Sequence, residues 1–280
     1  MPYRQRTIIA GRVMEIRKYH TYKAPHTGEK RKKRNGSTPP AVKKNNLKRT
    51  EDELRWLMNA NFKDGDLSIT TTYSQDPPAS IGDLKKDAEK FVRKIRALYK
   101  KKDVSLRYVY VLGAGKHRRH IHITINDAGL TPRELKEAWG HGRLDVVPLY
   151  SGGQYAQLAA YYMQNAIEAR ENADAQEVSL GKKYYYAAQG MRARVIEKTE
   201  YLKPSTFRKA IYEKAQSKKG WRVEKGSENY FIASDGYEHY YYTLIKDESH
   251  EDRDTHEHRP RKRKSKRKRS YGLQHGVHDP

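Results

Sequence analysis

The segment RRHIHITIN, residues 118–126, alternates histidine with isoleucine, and this pattern constrains the fold more than any other in the chain. Side chains of a β-strand alternate between the two faces of a sheet. His120, His122 and Thr124 therefore share one face, and the isoleucines at 121, 123 and 125 share the other. The isoleucine face is predicted to pack in a core. The two imidazoles, about 7 Å apart between Cα atoms, can converge on one ion.

The segments around this strand predict an antiparallel sheet with helices. Strands are expected at 67–73, 104–112 and 143–149, and Pro148 makes the last of these an edge strand. Helices are expected at 80–102, from Thr131, at 154–171 and at 205–216, with a hairpin turning at 235–236. A short helix is expected to begin at Thr50, because Glu53 completes a capping box. The order predicts an α+β fold, a central antiparallel β-sheet with helices packed mainly on one face.

Composition divides the chain into three parts. Residues 1–49 hold an N-terminal strand and a basic connector, and residues 50–246 form the predicted folded domain. Residues 247–280 are first acidic and rich in histidine and then almost entirely basic. Such a segment cannot bury enough apolar surface to fold, so disorder is predicted there.

Charge and residue usage limit the chemistry. The formal net charge of +24 favours a polyanionic partner, and nucleic acid is the commonest one. The chain has no cysteine, so a metal ion must be held by His, Asp, Glu or Gln. No run of about 18 apolar residues and no signal peptide is present, so a protein that stays inside the cell, with no membrane partner, is expected. No P-loop motif occurs, and ATP use is not expected.

A tyrosine-bearing helix follows the histidine strand in the sequence LAAYYMQ, residues 158–164. A tyrosine hydroxyl has an ordinary pKa near 10, so it needs help to act as a nucleophile. A metal ion that polarises a phosphate supplies such help. Histidines on a sheet face and a tyrosine on a helix above that face form an arrangement suited to phosphoryl transfer.

HIHITI resembles the His-hydrophobic-His strand of the HUH endonucleases, which include rolling-circle replication initiators and relaxases. The resemblance covers roughly residues 8–215. NANFKDGDLSITTTYSQDP, LRYVYVLGAG, RRHIHITIN, WGHGRLDVVPL and LAAYYMQ follow one another in the order seen in replication initiators of plasmids and phages of Gram-positive bacteria.

The resemblance implies roles for individual residues. His120 and His122 would be ligands of Mg²⁺ or Mn²⁺. A tyrosine would attack a DNA phosphodiester, leaving a free 3′-hydroxyl and a covalent 5′-phosphotyrosine. Alignment on LAxY selects Tyr161 and alignment on YM selects Tyr162, with Tyr161 preferred; adjacent helix positions point about 100° apart, so one of them faces the ion.

The chain departs from the family pattern in two places. A lysine usually follows the tyrosine by three residues, and Gln164 or Asn165 stands there instead. An acidic third ligand often ends the strand before the histidines, where this chain has glycine, alanine and glycine at 113–115. Gln164 is taken as the third metal ligand, and Glu168, His117 and Asp66 stay open as alternatives.

The implied partner is single-stranded DNA at a replication origin, with a host helicase and polymerase. Basic residues next to the two motifs are expected to contact the nucleic acid: Lys116, Arg118, Arg119, Lys182 and Lys183. The expected location is the cytoplasm of a bacterial host, or the nucleus if the host is eukaryotic. The alternatives are a relaxase or single-strand transposase with the same chemistry, and a noncatalytic DNA-binding protein that keeps the fold.

Overall fold

The structure is a computed structural model, and it describes residues 3–21, 38–114, 119–171, 183–233 and 236–247 of the chain. The described residues form five α-helices and eleven β-strands. The helices are α1 (Pro40–Asn61), α2 (Ile81–Lys101), α3 (Pro132–Trp139), α4 (Ala156–Glu171) and α5 (Pro204–Tyr212). The strands are β1 (Tyr3–Ala10), β2 (Val13–His20), β3 (Leu67–Thr71), β4 (Tyr108–Ala114), β5 (Arg119–Ile125), β6 (Leu144–Pro148), β7 (Tyr186–Ala187), β8 (Ile196–Leu202), β9 (Trp221–Val223), β10 (Asn229–Ile232) and β11 (Glu238–Lys246).

The strands pair antiparallel in two sheets. One sheet has five strands in the order β6-β3-β5-β4-β7, and the histidine strand β5 is its centre. The other has six, in the order β10-β11-β2-β1-β8 with β9 paired to β11. The α+β class with antiparallel pairing is confirmed, and so is the position of the strand containing Pro148 at a sheet edge.

The five-stranded sheet is covered by helices on both faces. On one face, α2 and α3 pack on Ile121, Ile123 and Ile125, so the predicted isoleucine core is confirmed. On the opposite face, α4 and the C-terminal half of α1 pack on Val109 and Val111 of β4. Helices therefore lie on the predicted face and also above the histidines. The second helical layer is what makes a site at the histidines possible.

The prediction that a helix begins at Thr50 is wrong. Helix α1 begins ten residues earlier at Pro40, where proline at the first position suits helix initiation. Thr50 lies inside the helix, and its hydroxyl donates a hydrogen bond to the Asn46 carbonyl at 2.9 Å. Glu53 pairs with Arg49 and caps nothing. The Thr50–Glu53 pattern is that of a helix start, but it lies within a helix that begins at Pro40.

Helix α1 joins the two sheets. Its Trp56 is fully buried against Ile8 of the six-stranded sheet and Val195, which directly precedes β8, while its Leu54 and Met58 pack with α4. The residues 1–49 set apart by composition contribute β1 and β2, which pair with β8 and β11. The division of the chain at residue 246 stays a prediction, because residues 248–280 lie outside the described residues.

A buried ion network fixes α1 to β2. The Glu15 carboxylate accepts hydrogen bonds from Arg17, Arg55 and the Trp56 indole, and Asp52 accepts from both arginines. The arginines lower the pKa of Asp52 against the opposing effect of burial, which is the largest single influence. Paired buried charges of this kind are costly to break, because one removal leaves the other charge without a partner.

None of the described helices is long and apolar enough to cross a membrane.

Replacing Ile123 by alanine tests the isoleucine core. Ile123 is 1% exposed, so Ile123→Ala should lower the free energy of unfolding by about 2–5 kcal/mol through lost burial and a cavity. The matched control is Val147→Ala on the edge strand β6, where the side chain is 52% exposed and the change should stay within about 0.5 kcal/mol. Denaturant unfolding measures both, and equal effects would contradict the assignment of the core face.

Candidate active site

His120 and His122 project from β5 toward α4, on the face opposite the isoleucines. Their Nε2 atoms are 3.0 Å apart and their ring planes are nearly perpendicular. At this separation one nitrogen donates a hydrogen bond to the other, or both present lone pairs to a cation. The alternation along β5 therefore brings both imidazoles to one point, as predicted from the sequence.

Gly113 on β4 provides the space for the His120 ring. It is the cross-strand partner of His120, and a Cβ atom added to it would lie 2.2 Å from His120 Nε2. The imidazole therefore lies across the neighbouring strand at a place where any side chain would displace it. Gly113, at the position where the resemblance led us to expect an acidic ligand, has a steric role in this chain.

His122 is held by the strand on its other side. Its Nδ1 atom lies 3.0 Å from the hydroxyl of Thr70 on β3, which leaves Nε2 pointing at His120. Burial, followed by the neighbouring His120, lowers the pKa of His122 to about 4, while hydrogen bonding to Asn165 acts in the opposite direction. The ring is therefore neutral at physiological pH, which is the form that can bind a metal ion.

Tyr162 fixes the rotation of α4 above the sheet. Its side chain is completely buried, and its hydroxyl is 2.8 Å from the Thr124 hydroxyl and 3.2 Å from the Ser68 hydroxyl. Burial raises the pKa of Tyr162, and the hydrogen bonds to Ser68 and Thr124 oppose this only in part. A hydroxyl closed off from solvent in this way cannot meet a DNA phosphate in the conformation described.

Tyr161 occupies the adjacent helix position and faces the opening of the site. Its side chain is 50% exposed, and its ring centroid lies 5.0 Å from that of His122 at an angle of 66°. Both tyrosines thus touch His122, one from the solvent side and one from within the core. Of the two tyrosines that the sequence singled out, Tyr161 has the accessible ring.

Asn165, and not Gln164, faces the histidine pair. Asn165 Oδ1 is 3.2 Å from His120 Nε2. The amide of Gln164 donates to Glu168 at 2.9 Å along the exposed side of α4. At about 100° per residue, position 165 falls between the directions of Tyr161 and Tyr162, whereas position 164 falls on the far side of Tyr161. The structure does not bring the predicted third ligand Gln164 to the site.

The other candidate third ligands also lie elsewhere. The Asp66 carboxylate accepts hydrogen bonds from the backbone amides of Lys63 and Asp127, and so closes a turn. Glu168 accepts from Gln164, and His117 lies outside the described residues. In the part of the chain that the structure describes, no group of three or more His, Asp or Glu side chains is arranged to hold an ion.

The predicted nucleic-acid contacts are only partly described. Lys116, Arg118 and Lys182 fall outside the described residues. Arg119 alternates to the isoleucine side of β5, where it lines a cleft with Arg143. Lys183 lies beside the last turn of α4, and its carbonyl accepts a hydrogen bond from Arg170.

A basic cleft lies between the two sheets. It has a volume of about 660 Å³ and is lined by cations from five segments: Arg12, Lys63, Arg107, Arg194 and Lys246. The carboxylate in the lining, that of Asp64, accepts a hydrogen bond from the backbone amide of Gly152. Burial, followed by the nearby charge of Arg194, lowers the pKa of Arg107. Arg107 directly precedes β4, and Gly113, the cross-strand partner of His120, lies six residues further along, which places the cleft about 20 Å from that histidine.

Sequence reasoning missed Asn165, Thr70 and the basic cleft as parts of the site. Asn165 lies four residues after Tyr161 and so shares its helix face, but the spacing alone does not show that this face, and not that of Gln164, lies over the histidines. Thr70 is opposite His122 only through the register of β3 against β5, and the cleft combines residues that lie far apart in the chain. Neither leaves a local signal.

One comparison with known proteins gives a match. Residues 66–166 match the family model for the replication-associated protein ORF2/G2P. The matched range begins just before β3 and ends in α4, so it contains the histidine pair and both tyrosines, while the six-stranded sheet lies outside it. The match supports a replication initiator role. Neither the curated proteins nor the solved structures give a match.

Acidification should destabilise the metal-free protein through His122. The unfolded state takes up a proton at the ordinary histidine pKa near 6.5, and the folded state only near 4. Stability from neutral His122 is therefore present above pH 6.5 and is lost as the pH falls from 6.5 to 4. Denaturant unfolding at several pH values should show a steeper loss for wild type than for His122→Gln. Parallel pH profiles would contradict the low pKa.

Proposed function

We propose that this chain is a replication initiator that nicks and rejoins single-stranded DNA at an origin, through a covalent link to Tyr161. The observation that carries the proposal is the exposed Tyr161 ring beside the converging histidines, inside the range that matches the replication-associated family. Rolling-circle replication of a phage or plasmid is the process that such chemistry serves.

The reaction is a transesterification at phosphorus. The Tyr161 hydroxyl oxygen forms a bond to the phosphorus, and the bond between phosphorus and the 3′-oxygen breaks. The tyrosine proton passes to solvent, and the departing 3′-oxygen takes up a proton to become a free hydroxyl. Rejoining is the reverse, with a 3′-hydroxyl attacking the phosphotyrosine. No net energy source is needed, because each step exchanges one phosphoester for another.

The residues around the histidines fit a divalent ion. His120 and His122 each offer an Nε2 atom, and Asn165 offers an amide oxygen. The His120 Nε2 atom is 3.0 Å from His122 Nε2 and 3.2 Å from Asn165 Oδ1. Mg²⁺ or Mn²⁺ is the proposed ion, and imidazole ligands suit Mn²⁺ better than Mg²⁺, which prefers oxygen. When bound, such an ion would neutralise charge on the scissile phosphate oxygens. Thr70 orients the His122 ring as a second layer of support.

The basic cleft is proposed as a second contact with the DNA backbone. Neither Arg107, Arg194 nor Lys63 forms an ion pair with the described residues, so their charge is available to phosphates. Arg107 Nε donates to the Asn61 carbonyl at 3.0 Å, which holds the guanidinium at the cleft wall. A strand bound at the histidines and in this cleft would follow the α4 side of the sheet.

A noncatalytic DNA-binding protein with the same fold is the second candidate. The observation in its favour is that no carboxylate among the described residues joins the histidine pair. Such a protein would keep the electrostatic contacts with DNA and would form no covalent adduct.

Phenylalanine substitutions separate the two tyrosines. With labelled single-stranded DNA carrying the origin and Mn²⁺, wild type should form an adduct that survives denaturing electrophoresis. Tyr161→Phe should abolish it, because the attacking oxygen is gone. Tyr162→Phe should form it, at a reduced rate because α4 loses two hydrogen bonds that orient it. Loss of the adduct only in Tyr162→Phe would reverse the assignment, and no adduct in wild type at any metal would favour the noncatalytic candidate.

Two neighbouring amides form a matched pair for the metal site. Asn165→Ala should weaken Mn²⁺ binding, measured by titration calorimetry, by about 10-fold or more, since the amide oxygen next to His120 is lost. Gln164→Ala removes an equivalent amide one residue away and should leave the affinity unchanged. The opposite ranking would place the ion on the other side of Tyr161 and would contradict the proposed ligand set.

The salt dependence of DNA binding tests the cleft. Arg194→Gln should reduce the slope of log affinity against log salt concentration by about 0.7, the value for one phosphate contact with a single strand. Arg133→Gln on the exposed surface of α3, paired with Glu137, removes the same charge and should not change the slope. Equal slopes for both variants would show that the cleft does not contact the strand.

A further inference from the structure

The face of the six-stranded sheet on which Trp56 of α1 packs also carries a row of side chains in register, most of them rings. Phe231, His239, Tyr19, Arg4 and Tyr201 are successive cross-strand partners on β10, β11, β2, β1 and β8. With neighbouring strands about 4.8 Å apart, the row spans about 19 Å. The opposite face of the same sheet is the one that packs against α5 through Tyr240, Tyr242 and Leu244.

Three rings of this row, those of Phe231, His239 and Tyr19, lie nearly parallel to one another. The Phe231 and His239 rings are 4.9 Å apart at an angle of 9°, and the His239 and Tyr19 rings are 6.2 Å apart at 10°. At the other end, the Arg4 guanidinium lies 4.9 Å above the Tyr201 ring. Parallel rings with an interleaved guanidinium are the groups on which proteins stack unpaired bases.

Packing of the described residues does not account for the ring row. Phe231, Tyr19 and Tyr201 belong to none of the four hydrophobic clusters that the described residues form. Phe231 is 37% exposed and Tyr201 is 58% exposed. Solvent-exposed positions of an antiparallel sheet ordinarily carry polar side chains, so exposed aromatic rings depart from the pattern.

The edge strand β10 shows the same departure. Its sequence NYFI is exposed at every position and carries no charge. An exposed apolar edge is normally blunted by charged residues or covered, because it invites association. On a chain of net charge +24, a polyanion with planar apolar groups is the partner that fits both the rings and the charge.

We propose that the ring row is a second binding surface for single-stranded DNA, on which bases stack independently of sequence. The inference rests on the proposed function for its ligand, and it adds a surface that lies on a different sheet from the histidines. Phe231 and Tyr201 are the exposed ends of the row, where bases stack, and Arg4 donates a hydrogen bond to the Tyr201 hydroxyl at 3.1 Å, which holds that ring in place.

The test measures binding of a fluorescent oligothymidylate of about 15 nucleotides by the full chain in the presence of a chelator, so that no metal-dependent step contributes. Phe231→Ala and Tyr201→Ala should each weaken binding about 5- to 150-fold, which corresponds to about 1–3 kcal/mol for one lost stack. The slope of affinity against salt should not change, because no charge is removed. Tyr212→Ala, which removes a ring that is 89% exposed on α5, is the matched control and should bind as wild type.

A conservative pair at position 231 separates stacking from mere apolar contact. Phe231→Tyr keeps a planar ring and should retain affinity, whereas Phe231→Leu keeps apolar volume and should bind as weakly as Phe231→Ala. Equal binding by wild type and Phe231→Leu, or an equal loss in Tyr212→Ala, would overturn the proposal.

Adduct formation at Tyr161 is measured in parallel on a short origin oligonucleotide. A wild type that forms no adduct but shows the loss in Phe231→Ala would reject the nicking function and keep the ring row. If wild type forms the adduct while all ring variants bind normally, the ring row would be rejected and the nicking function would be kept.

Discussion

The hydrogen bonds of the buried Tyr162 hydroxyl determine how the rest of the site is arranged. A buried hydroxyl without a partner costs about 1–3 kcal/mol, so α4 can lie on the sheet only where Thr124 and Ser68 meet it. This contact fixes the rotation of the helix about its axis. With the rotation fixed, Tyr161 faces the solvent side of His122, and Asn165 lies beside His120.

The sheet supplies the other half of the arrangement. The isoleucines of β5 anchor the strand to α2 and α3, so the histidines on the same strand must face α4. Gly113 leaves room for one imidazole and Thr70 holds the other, so the two Nε2 atoms meet at 3.0 Å. Alternate residues of β5 therefore have different roles. The isoleucines stabilise the core on one face, and the histidines form a polar, partly open pair on the other.

The sequence was informative where the signal was local and periodic. The alternation in RRHIHITIN predicted both faces of β5 correctly, and the edge strand at Pro148 followed from a missing backbone donor. The start of α1 was missed because a good capping pattern at Thr50 lies inside a longer helix. Gln164 and Asn165 could not be ranked from spacing, since the phase of α4 depends on a contact between Tyr162 and strands that lie up to 94 residues away in the chain. The second sheet was not separated from the first because its strands come from both ends of the described chain.

The central claim is that His120, His122 and Asn165 converge on one divalent ion beneath Tyr161. Anomalous diffraction from crystals soaked in Mn²⁺ measures this most directly. We expect one strong peak in coordination contact with Nε2 of both histidines, on the side of Asn165 and within reach of the Tyr161 hydroxyl. A peak bound elsewhere, or an empty position between the two Nε2 atoms at saturating Mn²⁺ and a pH above 7, would contradict it.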